Sequence, residues 1–159
     1  MLERTLVFIK PDGMQRGLAG EIIARLERPG LTMIDCKMIL VSKEVAEEHY
    51  REHVDKDFFP HLINFITSAP ILVMIFEGVK AVDNVRKIVG NTRPNLAAPG
   101  TIRGDLAHID EEQGNKKDIG IPNLIHASDS KKAAKEEINR FFGKSKTYTY
   151  KRCDEKFVT

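Results

Sequence analysis

Tryptophan is absent from this chain of 159 residues, and cysteine occurs only twice. Cys36 and Cys153 have no framework spacing, so no disulfide scaffold is legible. Free thiols in a reducing compartment are the simple expectation; one bridge between the two is the alternative that sequence leaves open. Neither sign of charge prevails. The 25 basic and 23 acidic residues leave a net charge of +2, too balanced for nucleic acid as the main partner. Long apolar runs are missing as well. Residues 71–76 form one of the longest, far below the ~20 residues of a membrane span. The start, Met1-Leu2-Glu3-Arg4, has no apolar leader stretch. A cytosolic protein with no membrane partner is expected.

What is present is ordinary for a globular chain: 42% apolar and 30% charged residues, with eight Phe and three Tyr supplying the aromatic mass. The length suits one domain over residues 1–159, able to bury roughly 70% of the surface of its unfolded chain.

Local patterns give the element order. Residues 5–9 (TLVFI) are β-branched and aromatic, a buried strand stopped by the turn Lys10-Pro11-Asp12-Gly13. In residues 19–28, Ile22, Ile23 and Leu26 share a helical face that Pro29-Gly30 ends. Residues 31–41 read as a second strand, and Ser42 can cap a polar helix running to about His53. A short helix over 60–67, an apolar strand over 71–76 and a helix over 81–89 follow, the last with Val82, Val85 and Val89 on one stripe. Residues 91–118 are rich in Gly, Pro, Asn and charge and read as a long functional loop. A last strand is expected over 119–125, interrupted by Pro122, then a helix over 130–142 burying Ala134, Ile138 and Phe141. The tail after Gly143 is polar and expected to pack late or loosely. Strands with helices between them suit an α+β sandwich, with helices packed on the sheet.

Three segments carry chemistry. Lys10 stands at a strand end, where a cation can reach a phosphate or a ribose hydroxyl. Arg86, Arg93 and Arg103 bracket the long loop; guanidinium forks suit phosphate oxygens, and Thr92 adds a hydroxyl donor. Each arginine taken singly is more often surface charge. The sharpest signal is Asn123-Leu124-Ile125-His126-Ala127-Ser128-Asp129. A neutral imidazole is a nucleophile when its second nitrogen is held by a neighbour. Glu137, two turns into the following helix, is placed to reach back toward the ring. Other patterns carry less. Gly143-Lys144-Ser145 lacks the earlier glycine of a phosphate loop, since Ile138 occupies that position, and Gly13, Gly17 and Gly20 lack dinucleotide-binding spacing. His49 and His53 match a bare H-x-x-E-H zinc pattern, with both histidines on one helical face but no evident third ligand.

Lys10-Pro11-Asp12-Gly13, Phe58-Phe59-Pro60, Pro99-Gly100-Thr101-Ile102-Arg103-Gly104-Asp105 and Asn123-x-x-His126-x-Ser128-Asp129 together resemble the nucleoside diphosphate kinase family over nearly the whole chain. The resemblance implies a ferredoxin-like α+β sandwich with a four-stranded antiparallel sheet. It also implies γ-phosphate transfer from a nucleoside triphosphate such as ATP to a nucleoside diphosphate, by way of phosphorylated His126. By the same resemblance, Glu137 orients that ring, Ser128 lies beside it, and Tyr50 is an active-site ring near Lys10. Lys10 and Asn123 would bind sugar hydroxyls, Phe58 would stack on the base with little regard for its identity, and Arg86, Thr92 and Arg103 would hold the polyphosphate. Mg2+ would arrive on the nucleotide's phosphates. Family members are usually hexamers, so a homo-oligomer is implied, a hexamer favoured over a tetramer. One departure stands out: residues 107–120 contain about ten more residues than the family pattern, a length that loop energetics tolerates.

Overall fold

The computed structural model describes residues 2–116 and 120–158. Four strands form one sheet in the order β2-β3-β1-β4, every neighbouring pair antiparallel. They are β1 (Leu2–Ile9), β2 (Thr32–Ile39), β3 (Ile71–Val79) and β4 (Ile125–Ala127). The central strands β1 and β3 pair along their length, from Leu2 opposite Val79 to Ile9 opposite Leu72. Both are covered on both faces, which is why they read as unbroken apolar runs rather than alternating ones.

Period two in β1 divides the interior. Val7 and Ile9 point into a core with Ile22 and Leu26 of α2 (Ala19–Glu27) and Val85 and Val89 of α5 (Ala81–Val89). Leu6 and Phe8 point the other way, into a core with Ile63 and Ile66 of α4 (Phe59–Ile66), Ala46 of α3 (Lys43–His49) and Phe141 and Phe142 of α8 (Lys131–Phe142). This is the α+β sandwich expected from the element order, with helices on both faces of an antiparallel sheet. Among the described residues, no helix is long and apolar enough to cross a membrane.

Three local expectations need correction. The last strand is not residues 119–125 but Ile125–Ala127; of the expected run, Ile119 lies outside the described residues. Gly120 and Leu124 both have positive φ, and Pro122 offers no N–H, so residues 120–124 cannot form a ladder. Residues 91–118 are not one structureless loop: they hold a 3-10 turn (Pro94–Leu96), α6 (Ile102–Leu106) and α7 (Glu111–Lys116), while Lys117 and Asp118 lie outside the described residues. The Thr101 hydroxyl caps α6 by accepting from Gly104 N at 3.0 Å, and Asp110 accepts from Gln113 N at 2.8 Å at the head of α7. The tail is docked rather than loose. Tyr148 N donates to Ile34 O at 2.9 Å and the Tyr150 hydroxyl to Met33 O at 3.1 Å. Arg152 donates to Leu31 O at 3.2 Å, ahead of a final helix, α9 (Glu155–Val158). The tail thus occupies part of the edge of β2 that the sheet leaves open.

Candidate active site

The site begins where β1 ends. Pro11 opens the short helix α1 (Pro11–Gln15), with Lys10 at its cap; the expected turn is therefore the cap and first turn of a helix. Lys10 N donates to Leu124 O at 2.8 Å, and an Asp12 carboxylate oxygen accepts from Leu124 N at 2.9 Å. Leu124 is thereby clamped at φ +70°, a conformation costly for a residue with a branched side chain. The clamp turns the chain between buried Asn123 and the start of β4. Lys10 Nζ donates to Asn123 Oδ1 at 2.8 Å, and Asn123 Nδ2 donates to Thr92 O at 2.8 Å.

β4 then sets His126 opposite Phe8, whose ring it stacks on with centroids 4.6 Å apart and planes at 17°. His49, the last residue of α3, meets the same imidazole edge-on at 4.6 Å and 77°. The ring is held by contacts on more than one side before any hydrogen bond is counted. His126 Nε2 lies 3.0 Å from Glu137 Oε2, and that same oxygen receives the Ser128 hydroxyl at 2.6 Å. Ser128 Oγ also lies 3.2 Å from Leu6 O, but a hydroxyl has one hydrogen and the shorter bond to the carboxylate takes it. Glu137 is an acceptor, so Nε2 carries the ring proton in the neutral imidazole and Nδ1 keeps its lone pair.

Arg103 is 7% exposed and makes backbone bonds that the sequence did not announce. Nε donates to Asn123 O at 3.1 Å, Nη1 to Gly90 O at 3.1 Å and Nη2 to Ile125 O at 2.6 Å. It pins the strand that carries Asn123 and His126 to the end of α5. Three of the five N–H bonds of a guanidinium are thus engaged by backbone, leaving two for an anion. Burial first, then neighbouring Arg86, lowers its pKa to about 10, partly offset by Asp12. Lys10 is lowered to about 8, again by burial first and then by Arg103, with Asp12 opposing. Burial and the nearby Glu137 push the Tyr50 phenol well above its ordinary range, and among the described residues its hydroxyl has no hydrogen-bond partner.

These side chains border one cleft of about 410 Å³. Lys10, Tyr50, Phe58, Arg86, Thr92, Arg103, Asn123, His126 and Glu137 all line it, and Ser128 lies behind Glu137. Arg93 does not line it. Sequence reasoning missed Glu52, Leu62 and Ile121 on its wall and gave Asp129 only a capping role.

It also misread His49. The helix ends at His49 and His53 belongs to a separate 3-10 turn, so the shared face assumed for a zinc pair does not form. The histidine beside His49 is His126, and ligand atoms of His49, His126 and Glu137 all lie within 4.8 Å of one another. Burial above all, then the neighbouring His126, Arg140 and Lys10, lower the His49 pKa to about 2, so this ring is uncharged. Cys36 and Cys153 are both free and exposed.

Chemically, the cleft offers a nucleophilic nitrogen, cations for a polyanion and an aromatic face for a flat ring. Comparison with known proteins agrees. A sequence model described as nucleoside diphosphate kinase matches residues 3–147. A nucleoside diphosphate kinase of Archaeoglobus fulgidus is 46% identical over 157 residues, spanning 99% of this chain and 97% of that one. The Borrelia burgdorferi nucleoside diphosphate kinase, solved as a transition-state mimic with vanadate and ADP, superposes with a TM-score of 0.92 at 40% identity, covering 97% of this chain and 95% of that one. The Halobacterium salinarum enzyme, solved with CDP, gives a TM-score of 0.89 at 43% identity, covering 100% of this chain and 99% of that one.

Proposed function

This chain belongs to the nucleoside diphosphate kinase family, which moves phosphate from a nucleoside triphosphate to a nucleoside diphosphate, and from that premise we propose that the transfer runs in two steps through His126. In the first, the Nδ1 lone pair attacks the γ-phosphorus; the P–N bond forms as the P–O bond to the β-phosphate breaks, and the diphosphate leaves with the electron pair. In the second, a terminal oxygen of another diphosphate attacks phosphohistidine and returns Nδ1 its lone pair. Splitting the transfer in this way lets one cleft serve donor and acceptor in turn. The observation that carries this reading is the Ser128–Glu137–His126 chain. It holds the proton at Nε2 throughout, and its carboxylate stabilises the positive charge that the ring acquires on phosphorylation.

The other roles follow from the chemistry of the wall. Lys10, Arg86 and the free N–H bonds of Arg103 neutralise phosphate oxygens, Thr92 adds a hydroxyl, and Asn123 with Lys10 meets the sugar. The Tyr50 hydroxyl, neutral and with no hydrogen-bond partner among the described residues, donates within the cleft. Phe58 stacks on the base. Relatives bound to ADP and to CDP carry a purine and a pyrimidine, which supports broad base acceptance. Mg2+ comes as part of the nucleotide substrate and neutralises its phosphates. Glu52 and Asp129 on the cleft wall are hard oxygen donors fit to receive its water ligands.

Residues 1–159 act as one domain in this reading, since the tail bonds back to residues 31–34. Exposed Met38, Leu40 and Leu96 support a homo-oligomer, with the family's hexamer favoured over a tetramer. The free thiols support a cytoplasmic site of action.

The test is labelling. Incubation with γ-labelled ATP marks His126 of the native protein, and added nucleoside diphosphate carries the label away. His126→Ala takes up none. Equal labelling of both proteins overturns the proposal.

A further inference from the structure

We infer that the described part of the additional segment, residues 107–116 with Gly120, is a buttress that, together with Ile121, fixes the base side of the nucleotide cleft, and that Gly114 is the position on which its fit depends. The inference rests on the nucleotide reading of the cleft given above.

Of this segment, Gly120 and Ile121 line the cleft, where Phe58 and Leu62 also stand. Behind them sits α7. Its start is tied by Asp110, which accepts from Gln113 N through its side chain at 2.8 Å and from Gly114 N through its carbonyl at 3.1 Å. Upstream, Leu106 O receives Arg16 Nη1 at 2.7 Å, and Leu106 and Ala107 pack on the core. Downstream, the chain runs into buried Asn123 and Leu124. The segment is therefore anchored on both flanks.

Between those anchors, α7 meets the cleft wall backbone to backbone. A Cβ at Gly114 would fall closer to the Gly120 carbonyl oxygen than the 3.0 Å that real Cβ atoms keep, 2.9 Å from the carbonyl carbon and 3.5 Å from Ile121 Cα. These are main-chain atoms and cannot swing aside like the tip of a long side chain. Glycine inside a helix costs about 1 kcal/mol relative to alanine, so helix formation does not account for Gly114. The close approach does. Gly120, buried at φ +62°, completes the contact. Among the described residues, the insertion thus borders the cleft at Gly120, next to Ile121, with α7 setting where they stand.

Gly114→Ala is expected to move that wall outward while leaving the phosphate and sugar groups in place. A displacement of about 0.5–1 Å forfeits a quarter to a half of the affected contact energy. ADP and CDP should then bind about fivefold to tenfold more weakly, a change equivalent to about 1–1.4 kcal/mol. The test is calorimetric titration of the unphosphorylated protein with ADP, CDP and ribose 5-diphosphate, which has no base. Gly114→Ala should weaken both nucleotides and leave ribose 5-diphosphate unchanged. Gly20→Ala, where an added Cβ meets nothing within 4 Å, should change none of the three. Ile121→Ala, which trims the wall instead of moving it, should repeat the Gly114→Ala pattern and serves if that variant does not fold.

Unchanged ADP affinity in the folded variants overturns the inference, as does an equal loss for ribose 5-diphosphate. Labelling of the native protein with γ-labelled ATP, run on the same preparation, reports separately on His126. Absence of label with the titration pattern intact would reject the phosphohistidine route and keep the buttress.

Discussion

Removing the carboxylate behind His126 should slow phosphorylation by an amount that the geometry fixes within about a decade. One oxygen of Glu137 receives both the His126 Nε2–H at 3.0 Å and the Ser128 hydroxyl at 2.6 Å, and the residue is 9% exposed. In Glu137→Ala the serine hydroxyl has an alternative acceptor, Leu6 O at 3.2 Å, so the imidazole loses more than the serine does. A hydrogen bond to a charged group is worth about 1.5–3 kcal/mol, and each 1.36 kcal/mol on a barrier is tenfold in rate. The expected slowing is therefore about 10–100-fold, the range met when an orienting partner is lost. Glu137→Gln should cost less. A single amide oxygen can still accept both donors, as one carboxylate oxygen does now, but the negative charge opposite the developing phosphoimidazolium is gone. A neutral bond is about half as strong, which places Gln at about threefold to tenfold. The assay is a rapid-quench single turnover with γ-labelled ATP, with urea unfolding run in parallel to show both variants folded. A Glu137→Ala rate within twofold of native would remove the carboxylate from the mechanism. Gln slower than Ala would show that charge is not what the site uses.

Lys10 should give the alkaline limb of kcat/KM near pH 8, because the free protein loses that charge at its lowered pKa; the limb of kcat should lie higher, since bound phosphates favour the ammonium. Stability should move the other way. Between about pH 8 and 10.5 the unfolded chain holds the Lys10 proton more tightly than the folded one, so unfolding free energy gains up to about 3 kcal/mol from this group as pH rises. Lys10→Met should lack that gain, and parallel stability profiles for the two proteins would refute it. Phe58→Ala should weaken nucleotide binding by about 1–3 kcal/mol if the ring is a stacking platform, and equal affinity in titration would deny it that part. Arg103→Lys keeps a charge but cannot reach Asn123 O, Gly90 O and Ile125 O together. It should cost about 2–4 kcal/mol in urea unfolding as buried carbonyls lose donors, besides slowing transfer; an unshifted midpoint would show that its structural part is idle.

The fold was legible wherever side-chain pattern alone decides the element. Residues 5–9 and 71–76 became the central strands because β-branched and aromatic residues buried on both faces leave few alternatives. Val82, Val85 and Val89 became the buried stripe of α5 for the same reason of period. Candidate site residues were picked by chemical type, and one cleft is lined by Lys10, Asn123 and His126, from segments more than a hundred residues apart. What sequence did not show shares a physical cause. β4 is shifted because Lys10 N and Asp12 clamp the backbone of Leu124. Arg103 turns inward because its partners are the carbonyls of Gly90, Asn123 and Ile125. The tail docks through Ile34 O, Met33 O and Leu31 O, and α7 seats where Gly114 meets the Gly120 carbonyl. Each of these contacts uses a main-chain group on at least one side. Such groups are nearly the same in every residue, so no letter of the sequence marks where one will be needed. A motif singled out His126 as the candidate nucleophile, whereas the frame around it had to be seen.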